Sequence, residues 1–509
     1  MNANLYALFE RHFPEDLEQP FLVIPNGRVI SYGVLAAESA RIAHALVAVG
    51  CRPGDRVAVQ TDKDWRVLAL YLACLRAGFV YLPLNTGYQR SELTYFFADS
   101  QPRVIVCRGD ALGVVATIAQ QATVLTLDAN GGELGDRARA MAATFTTVHL
   151  PPDDVAAVLY TSGTTGRAKG AMLTHRNLAS NAIALVDAWG FTRGDVLLHA
   201  LPAYHVHGLF VTTHCVLLSG SRMLWLAKFD AGEVASLLPR ATVLMGVPTF
   251  YSRLLAEAAL TRESCRGVRL FVSGSAPLLP ETFDAFRMRT GHAILERYGM
   301  TETGMNTSNP LDGARVAGTV GPPLPGVAVR IADANGTSVE SGVVGDVQVK
   351  GPNVFTGYWR MPEKTREEFT GDGFFKTGDL GEWVPDGPAR GYLRLVGRAK
   401  DLIITGGLNV YPLEIEEHIN QMDGIVESAV IGVPDPDFGE SVTAVVVAKA
   451  NHTLTSASII AALKMDMAAF KVPKRVLFVP ELPRNAMGKV QKNVLRERHS
   501  VSGAGSGEA

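Results

Sequence analysis

The sequence predicts an α/β protein: a large N-terminal domain of layered α/β units with a β-rich subdomain, and a small α+β domain at the C-terminus. Three observations carry that expectation. Short apolar runs alternate with helical patterns from Ser31 to Ser273, the signature of strand–helix units around a mainly parallel sheet. From about Asn309 to Arg398 glycine and proline become frequent and short alternating strands take over. The polar segment Gly397-Arg398-Ala399-Lys400-Asp401 then separates two structured regions. With 509 residues the chain is too long for one core, so more than one domain is expected.

In chain order, Leu5, Leu8, Phe9 and Phe13 sit at helical spacing and predict a docked amphipathic helix. Ser31 to Gly50 is alanine-rich and helical; Gly54-Asp55 turns into a strand over Arg56 to Gln60. Trp65 to Ala77 reads as a helix, and Phe79 to Leu82, Arg103 to Cys107 and Ala122 to Leu127 as short buried strands. Asn130 to Asp136 reads as a glycine-rich loop. Val155 to Leu159 and Gly170 to Leu173 are strands, and Thr174 or Asn177 caps the helix that follows. Met245 and Leu270 to Ser273 continue the α/β alternation, and Val327 to Ile331, Gly345 to Lys350 and Tyr392 to Val396 form the β-rich part. Beyond Asp401, strands at Ile403, Ala429 to Val433 and Val442 to Ala448 and helices at Leu413 to Met422 and Ser456 to Met467 predict the compact second domain. The domains are therefore expected at residues 1–397 and 402–499, with 398–401 between them and a Gly/Ser-rich, disordered tail at 500–509.

The composition, 47% hydrophobic and 19% charged, is that of a globular protein rather than a disordered one. A formal net charge of −2 gives no general attraction to nucleic acid or to an anionic membrane, so neither is expected as a partner. The five cysteines are scattered and lack C-x-x-C spacing, which argues for reduced thiols in the cytoplasm. The N-terminus shows no basic segment followed by an apolar one, so no secretory signal is expected. Arg76 interrupts the apolar stretch Leu68 to Leu84, and His214 and Arg222 interrupt Leu209 to Ala227; neither reads as a membrane span.

The stretch Tyr160-Thr-Ser-Gly-Thr-Thr-Gly-Arg-Ala-Lys-Gly170 carries the first chemical signal. It places three glycines, four hydroxyls and two cations directly after a strand. Glycines let backbone approach a ligand closely, and successive N–H groups form an anion-binding concavity. Ala168 precedes Lys169 and Gly170 follows it, so this is not the Gly-Lys-Ser/Thr of a Walker loop. A polyphosphate is the natural ligand, and a Gly/Thr-rich surface turn is the alternative.

That stretch closely resembles the phosphate loop of the adenylate-forming enzymes, which include acyl-CoA synthetases, luciferases and peptide-synthetase adenylation domains. The resemblance runs from about Ser31 to Lys492 through several motifs in family order. It implies ATP contacts at Thr161, Ser162, Gly163, Thr164, Thr165, Gly166 and Lys169, and an adenine-side loop at Ser275, Ala276 and Pro277. In Glu296-Arg297-Tyr298-Gly299-Met300-Thr301-Glu302, Tyr298 would stack on adenine and Thr301 would contact the α-phosphate. Glu302 would hold Mg²⁺ with Thr161 nearby, and Glu296, Gly299 and Met300 would line the nucleotide. Asp379 and Arg398 resemble the ribose contacts, and Lys489 the catalytic lysine. His205 resembles a gate beside the acyl pocket, and Lys400 the hinge of a mobile C-terminal domain. The implied reaction joins an acid to coenzyme A through an acyl-adenylate, with Mg²⁺ as cofactor and ATP and CoA as substrates. The match of Lys489 to a family acetylation site also implies a lysine acetyltransferase and deacetylase as partners.

The acid is suggested by Arg297, which stands where most of the family has a small residue bordering the acyl pocket. A guanidinium there is costly unless it meets an anion, and its planar fork suits a carboxylate. A short diacid is expected, and the pattern is similar to the malonyl-CoA synthetases, with His207, Ser273 and Met305 joining Arg297 at the second carboxylate. Methylmalonate is one methyl group larger and is not excluded. The alternative for Arg297 is an internal ion pair with Glu296 or Glu302. The alternatives for the protein are another short-chain acyl-CoA synthetase, an enzyme that loads a carrier protein, and a non-catalytic nucleotide-binding protein. The chain carries no carrier domain after Lys489, which favours free CoA as acceptor.

Overall fold

The computed structural model describes residues 2–161, 168–406, 408–435, 437–450, 454–485 and 488–500. Its two largest sheets share one core. A seven-stranded sheet runs Gly357–Tyr358, Lys169–Thr174, Val155–Thr161, Val80–Pro83, Arg56–Gln60, Val104–Cys107 and Thr123–Thr126. An eight-stranded sheet runs Gly304–Ser308, Leu295–Met300, Leu270–Ser273, Val243–Gly246, Val196–His199, Arg222–Trp225, Pro20–Val23 and Val29–Ser31. The inner pairings are parallel and the antiparallel ones lie at the edges, so helices cover both faces. Val57, Val59 and Tyr81 of the first sheet and Leu197, Leu198 and Met245 of the second belong to one continuous cluster.

The strand Arg56–Gln60 and the helix Trp65–Ala77 have the bounds the sequence predicts. Asp64 caps that helix through Arg66 N–H, and Gly78, at φ +74°, ends it. Both residues predicted to cap the helix His175–Ala188 do so: Thr174 accepts from Asn177 N–H, and the Asn177 side chain accepts from Thr174 N–H. The glycine-rich loop expected at Asn130 to Asp136 is instead the start of a helix, Gly132–Arg139. Leu134 and Ala138 lie four residues apart on its inner face and are fully buried. That burial outweighs the poor helix propensity of its glycines.

The β-rich part is an antiparallel sheet of Ala328–Ala332, Gly345–Lys350, Phe375–Trp383 and Leu393–Arg398. Its last pairing sets Asp379 opposite Arg398. From Ile403 onward the chain builds a separate domain on another sheet, made of Ile403–Thr405, Leu408–Val410, Ile425–Asp435, Gly439–Ala448 and Arg475–Phe478. Successive residues of Ile425–Asp435 face opposite sides. Val430 packs with Ile415 and Ile419, while Ala429 and Ile431 pack with Leu495. Ser500 ends the helix Lys492–Ser500, and the rest of the expected tail, 501–509, lies outside the described residues. No helix among the described residues is long and apolar enough to cross a membrane.

Candidate active site

The predicted residues collect at the carboxyl ends of the parallel strands, where open α/β sheets bind ligands. Leu295–Met300 is central. It pairs in parallel with Leu270–Ser273 and antiparallel with Gly304–Ser308. Glu296 and Arg297 are neighbours on this strand, so their side chains leave it on opposite faces. The Glu296 carboxylate accepts from Gly318 N–H at 3.3 Å, and burial pushes it up to about 8. It therefore stands apart from the groups that surround Arg297.

Arg297 is only 3% exposed. Its Nε and Nη2 are buried without a hydrogen-bond partner, and among the described residues it forms no ion pair with Glu296 or Glu302. Burial pulls the guanidinium down to about 9. The backbone of Gly274 leaves the space it fills. Ser273 Oγ and His207 Nε2 are also buried without partners. His207 Nδ1 lies 3.3 Å from Ser275 Oγ, and Ser275 takes the strained φ of +72° to stand there. His205 accepts from His207 N–H at 3.2 Å; burial with the nearby Arg297 charge holds it down at about 4 and disfavours the charged form of His207 as well. Ala276 and Pro277 continue the Ser275 loop. Met305, 2% exposed, faces Gly299, whose missing Cβ would stand 2.6 Å from Met305 Cε.

At the next part of the site, Tyr298 donates to Asp379 Oδ2 at 2.5 Å and Arg398 Nε lies 2.8 Å from Asp379 Oδ1. Arg398 also donates to Thr377 O at 3.3 Å. Glu302 lies in the electrostatic field of both Arg398 and Lys169. Burial raises the Glu302 carboxyl above its usual range. Its Oε1 accepts from Tyr358 OH at 3.1 Å. Lys169 lies 3.4 Å from Glu368 Oε1 and 4.3 Å from the Tyr358 ring. Thr161 Oγ1 donates to Lys169 O at 3.4 Å, and Met300 and Thr301 lead into the turn before Gly304–Ser308. Ser162, Gly163, Thr164, Thr165 and Gly166 lie outside the described residues. A single buried carboxylate with one side-chain donor fits Mg²⁺, which keeps waters and takes its other ligands from phosphate.

Lys489 reaches this site from the second domain. Lys489 is exposed at its surface; its ammonium lies in the field of Arg398, Asp379, Lys400 and Asp401, where partial desolvation and repulsion by Arg398 act on it. The ammonium is drawn down to about 8. Gly488, just before it, has room for no more than an ordinary contact with Thr249 of the large domain, 3.4 Å from a Cβ placed there. Lys400 lies in the short turn Ala399–Asp401, and Asp401 is tied to Arg496 at 2.5 Å. A cavity of about 810 Å³ passes Tyr204, Thr249 and Gly488, with Lys63, Lys228, Arg253 and Arg484 on its wall.

Three residues of this site stand in none of the motifs read from the sequence. Tyr358 and Glu368 reach Glu302 and Lys169 from the β-rich region, and Tyr251 donates to Val272 O at 2.6 Å while facing Arg297. Nothing local marks them; only the tertiary fold brings them in.

The chain belongs to the AMP-binding enzyme family: the AMP-binding enzyme model matches residues 9–359 and the model of its C-terminal domain matches 414–489. Among curated relatives it is similar to the mitochondrial malonate–CoA ligase of Mus musculus, at 39% identity over 89% of this chain and 84% of that one. It is similar to the crystal structure of ATP-bound MatB from Rhodopseudomonas palustris, at 55% identity and TM-score 0.95, over 98% of this chain and 99% of that one. Apo MatB matches at the same identity and coverage with TM-score 0.84.

Proposed function

We propose that the protein is an AMP-forming acid–thiol ligase that joins malonate to coenzyme A, giving malonyl-CoA, AMP and pyrophosphate from ATP. The observation that carries the choice of acid is Arg297, a buried guanidinium with two nitrogens partnerless among the described residues, in the field of His207, whose Nε2 is partnerless too. A second carboxylate would satisfy the fork and relieve the cost of an isolated buried charge. His207, Ser273 and Met305 would shape that end. The family relationship and the likeness to malonate–CoA ligases support the same reading.

In the proposed reaction one malonate oxygen attacks the α-phosphate of ATP and pyrophosphate leaves. Lys489, in the field of Arg398 and Asp379, would bring its ammonium to the attacking carboxylate and the α-phosphate and stabilise charge as the bond forms. Thr301 and Lys169, with Thr161, Ser162, Gly163, Thr164, Thr165 and Gly166, hold the phosphates. Asp379 and Arg398 hold the ribose, and Tyr298 with Ser275, Ala276 and Pro277 frames the adenine. Glu302 would hold Mg²⁺, which when bound would supply positive charge for the departing pyrophosphate. The thiol of CoA then attacks the acyl carbon of malonyl-AMP and AMP leaves. His205, bonded to His207 N–H, would gate the passage between the two half-reactions. The cationic wall of the cavity beside Tyr204 suits a phosphorylated thiol.

We assign residues 1–397 to the adenylation domain, 398–401 to a hinge at Lys400, and 402–499 to the domain that carries Lys489. The higher similarity to ATP-bound MatB than to apo MatB, together with Lys489 facing Asp379, fits the adenylating orientation. The free, buried cysteines suit the cytoplasm. Acetylation of Lys489 would remove the charge at the α-phosphate. Incubation with ATP, Mg²⁺, malonate and CoA tests the whole reading: malonyl-CoA should accumulate with AMP in equal amounts, and malonyl-AMP without thioester would turn the reading towards another acceptor.

A further inference from the structure

Tyr358 touches two groups of opposite charge. Its hydroxyl donates to Glu302 Oε1 at 3.1 Å, and its ring lies 4.3 Å from the Lys169 ammonium. Lys169 forms its ion pair with Glu368 on the other side, at 3.4 Å. Among the described residues Glu302 and Lys169 form no ion pair with each other, although each lies in the other's field. The aromatic ring stands as the spacer between them.

The spacer is held firmly. Tyr358 is 4% exposed. It pairs with Ala171 across the short antiparallel strand, two residues from Lys169. Its N–H donates to Thr365 Oγ1 at 2.8 Å, and Phe355 packs edge-on against its ring at 4.8 Å. Gly357 makes this possible: it takes φ +140°, and a Cβ there would stand 2.6 Å from Thr365.

Oppositely charged side chains in a water-poor site attract strongly, and direct pairing would neutralise both. A phenol prevents that in two ways at once. Its hydroxyl satisfies the carboxylate, and its face satisfies the ammonium. We propose that Tyr358 is a positioning residue that keeps Glu302 available to a divalent cation and Lys169 available to the nucleotide phosphates by holding the two charges apart. The proposal rests on the ATP-dependent reading above but not on the identity of the acid.

The test uses the full-length protein without acid or CoA. Binding of an ATP analogue with a methylene bridge between its β- and γ-phosphates is measured in EDTA. Mn²⁺ affinity of the nucleotide complex is then read from the spin-resonance signal of free Mn²⁺. Tyr358→Phe keeps the ring and loses the hydroxyl. It should weaken Mn²⁺ about 3- to 10-fold, the scale of one hydrogen bond, and leave metal-free nucleotide binding unchanged. Tyr358→Leu loses both contacts, so metal-free nucleotide binding should also fall as Lys169 turns to Glu302. Adding Glu302→Gln to Tyr358→Leu should restore that metal-free binding, which a purely structural role for the ring would not do. Wild-type Mn²⁺ affinity in Tyr358→Phe would overturn the proposal, whatever the stability of the leucine variant. So would failure of Glu302→Gln to restore metal-free binding in a folded double variant. Absence of nucleotide binding by the wild type would instead overturn the ATP-dependent reading itself.

Discussion

The Arg297 guanidinium lies so close over Gly274 that a Cβ at that position would stand 2.4 Å from Arg297 Cζ. Real Cβ contacts do not come that near, so Gly274→Ala must push the guanidinium or the loop aside. With Arg297 central to the second carboxylate, Gly274→Ala should lower kcat/KM for malonate by at least about 10-fold, the effect of roughly 1.4 kcal/mol of misplacement. Steady-state kinetics check this, and pairing with Arg297→Ala sharpens it. In the Arg297→Ala background the extra methyl should cost little, because the clash has gone.

In the proposed role of Arg297, Arg297→Ala removes one side of a buried charge pair with substrate. Such losses run to about 2–5 kcal/mol, or roughly 30- to several-thousand-fold in malonate efficiency. ATP affinity should stay near that of the wild type, because the guanidinium lies over Gly274 and in the field of His207 rather than against Asp379. Parallel ATP and malonate titrations separate the two. Equal losses for both substrates would return Arg297 to a structural role.

Lys489 predicts a pH limb. Its ammonium is held down to about 8, so it is charged below that pH and neutral above it. Under saturating malonate, kcat/KM for ATP in adenylate formation should fall as pH rises through about 8. The limb in kcat should lie higher, because bound phosphates favour the charged form. Lys489→Arg keeps its charge across this range and should abolish the limb even if its rate is low.

The wall of the 810 Å³ cavity predicts a thiol-side effect. Lys228→Ala should raise the KM for CoA several-fold and leave pyrophosphate exchange with malonate and ATP unchanged. A defect in exchange would show that Lys228 serves the first half-reaction instead.

Much of this arrangement is legible in the sequence, for identifiable reasons. Trp65–Ala77 is bounded by Asp64 and Gly78, which mark a helix start and stop. Thr174 and Asn177 announce their capping box by spacing alone. Arg297 stands out because a charge occupies a position the motif leaves to a small residue. Gly132–Arg139 is not legible, because its two glycines signal a loop and only the core it covers favours a helix. Tyr358 and Glu368 are not legible either. They approach Lys169 from about 190 residues further along the chain, and only the pairing of Gly357–Tyr358 with Lys169–Thr174 brings them there. The alternative reading, an internal pair of Arg297 with Glu296, is not seen among the described residues because adjacent strand residues diverge and Glu296 turns to Gly318.

The central claim is that a buried, unpaired arginine selects a diacid for adenylation. The most direct test is AMP release with ATP, Mg²⁺ and CoA across acetate, propionate, malonate, methylmalonate and succinate, for the wild type and Arg297→Ala. The wild type should show a strong malonate preference that collapses in Arg297→Ala, with acetate and propionate unchanged or improved. A wild-type preference for acetate or propionate, or a malonate preference that survives the loss of Arg297, would contradict it.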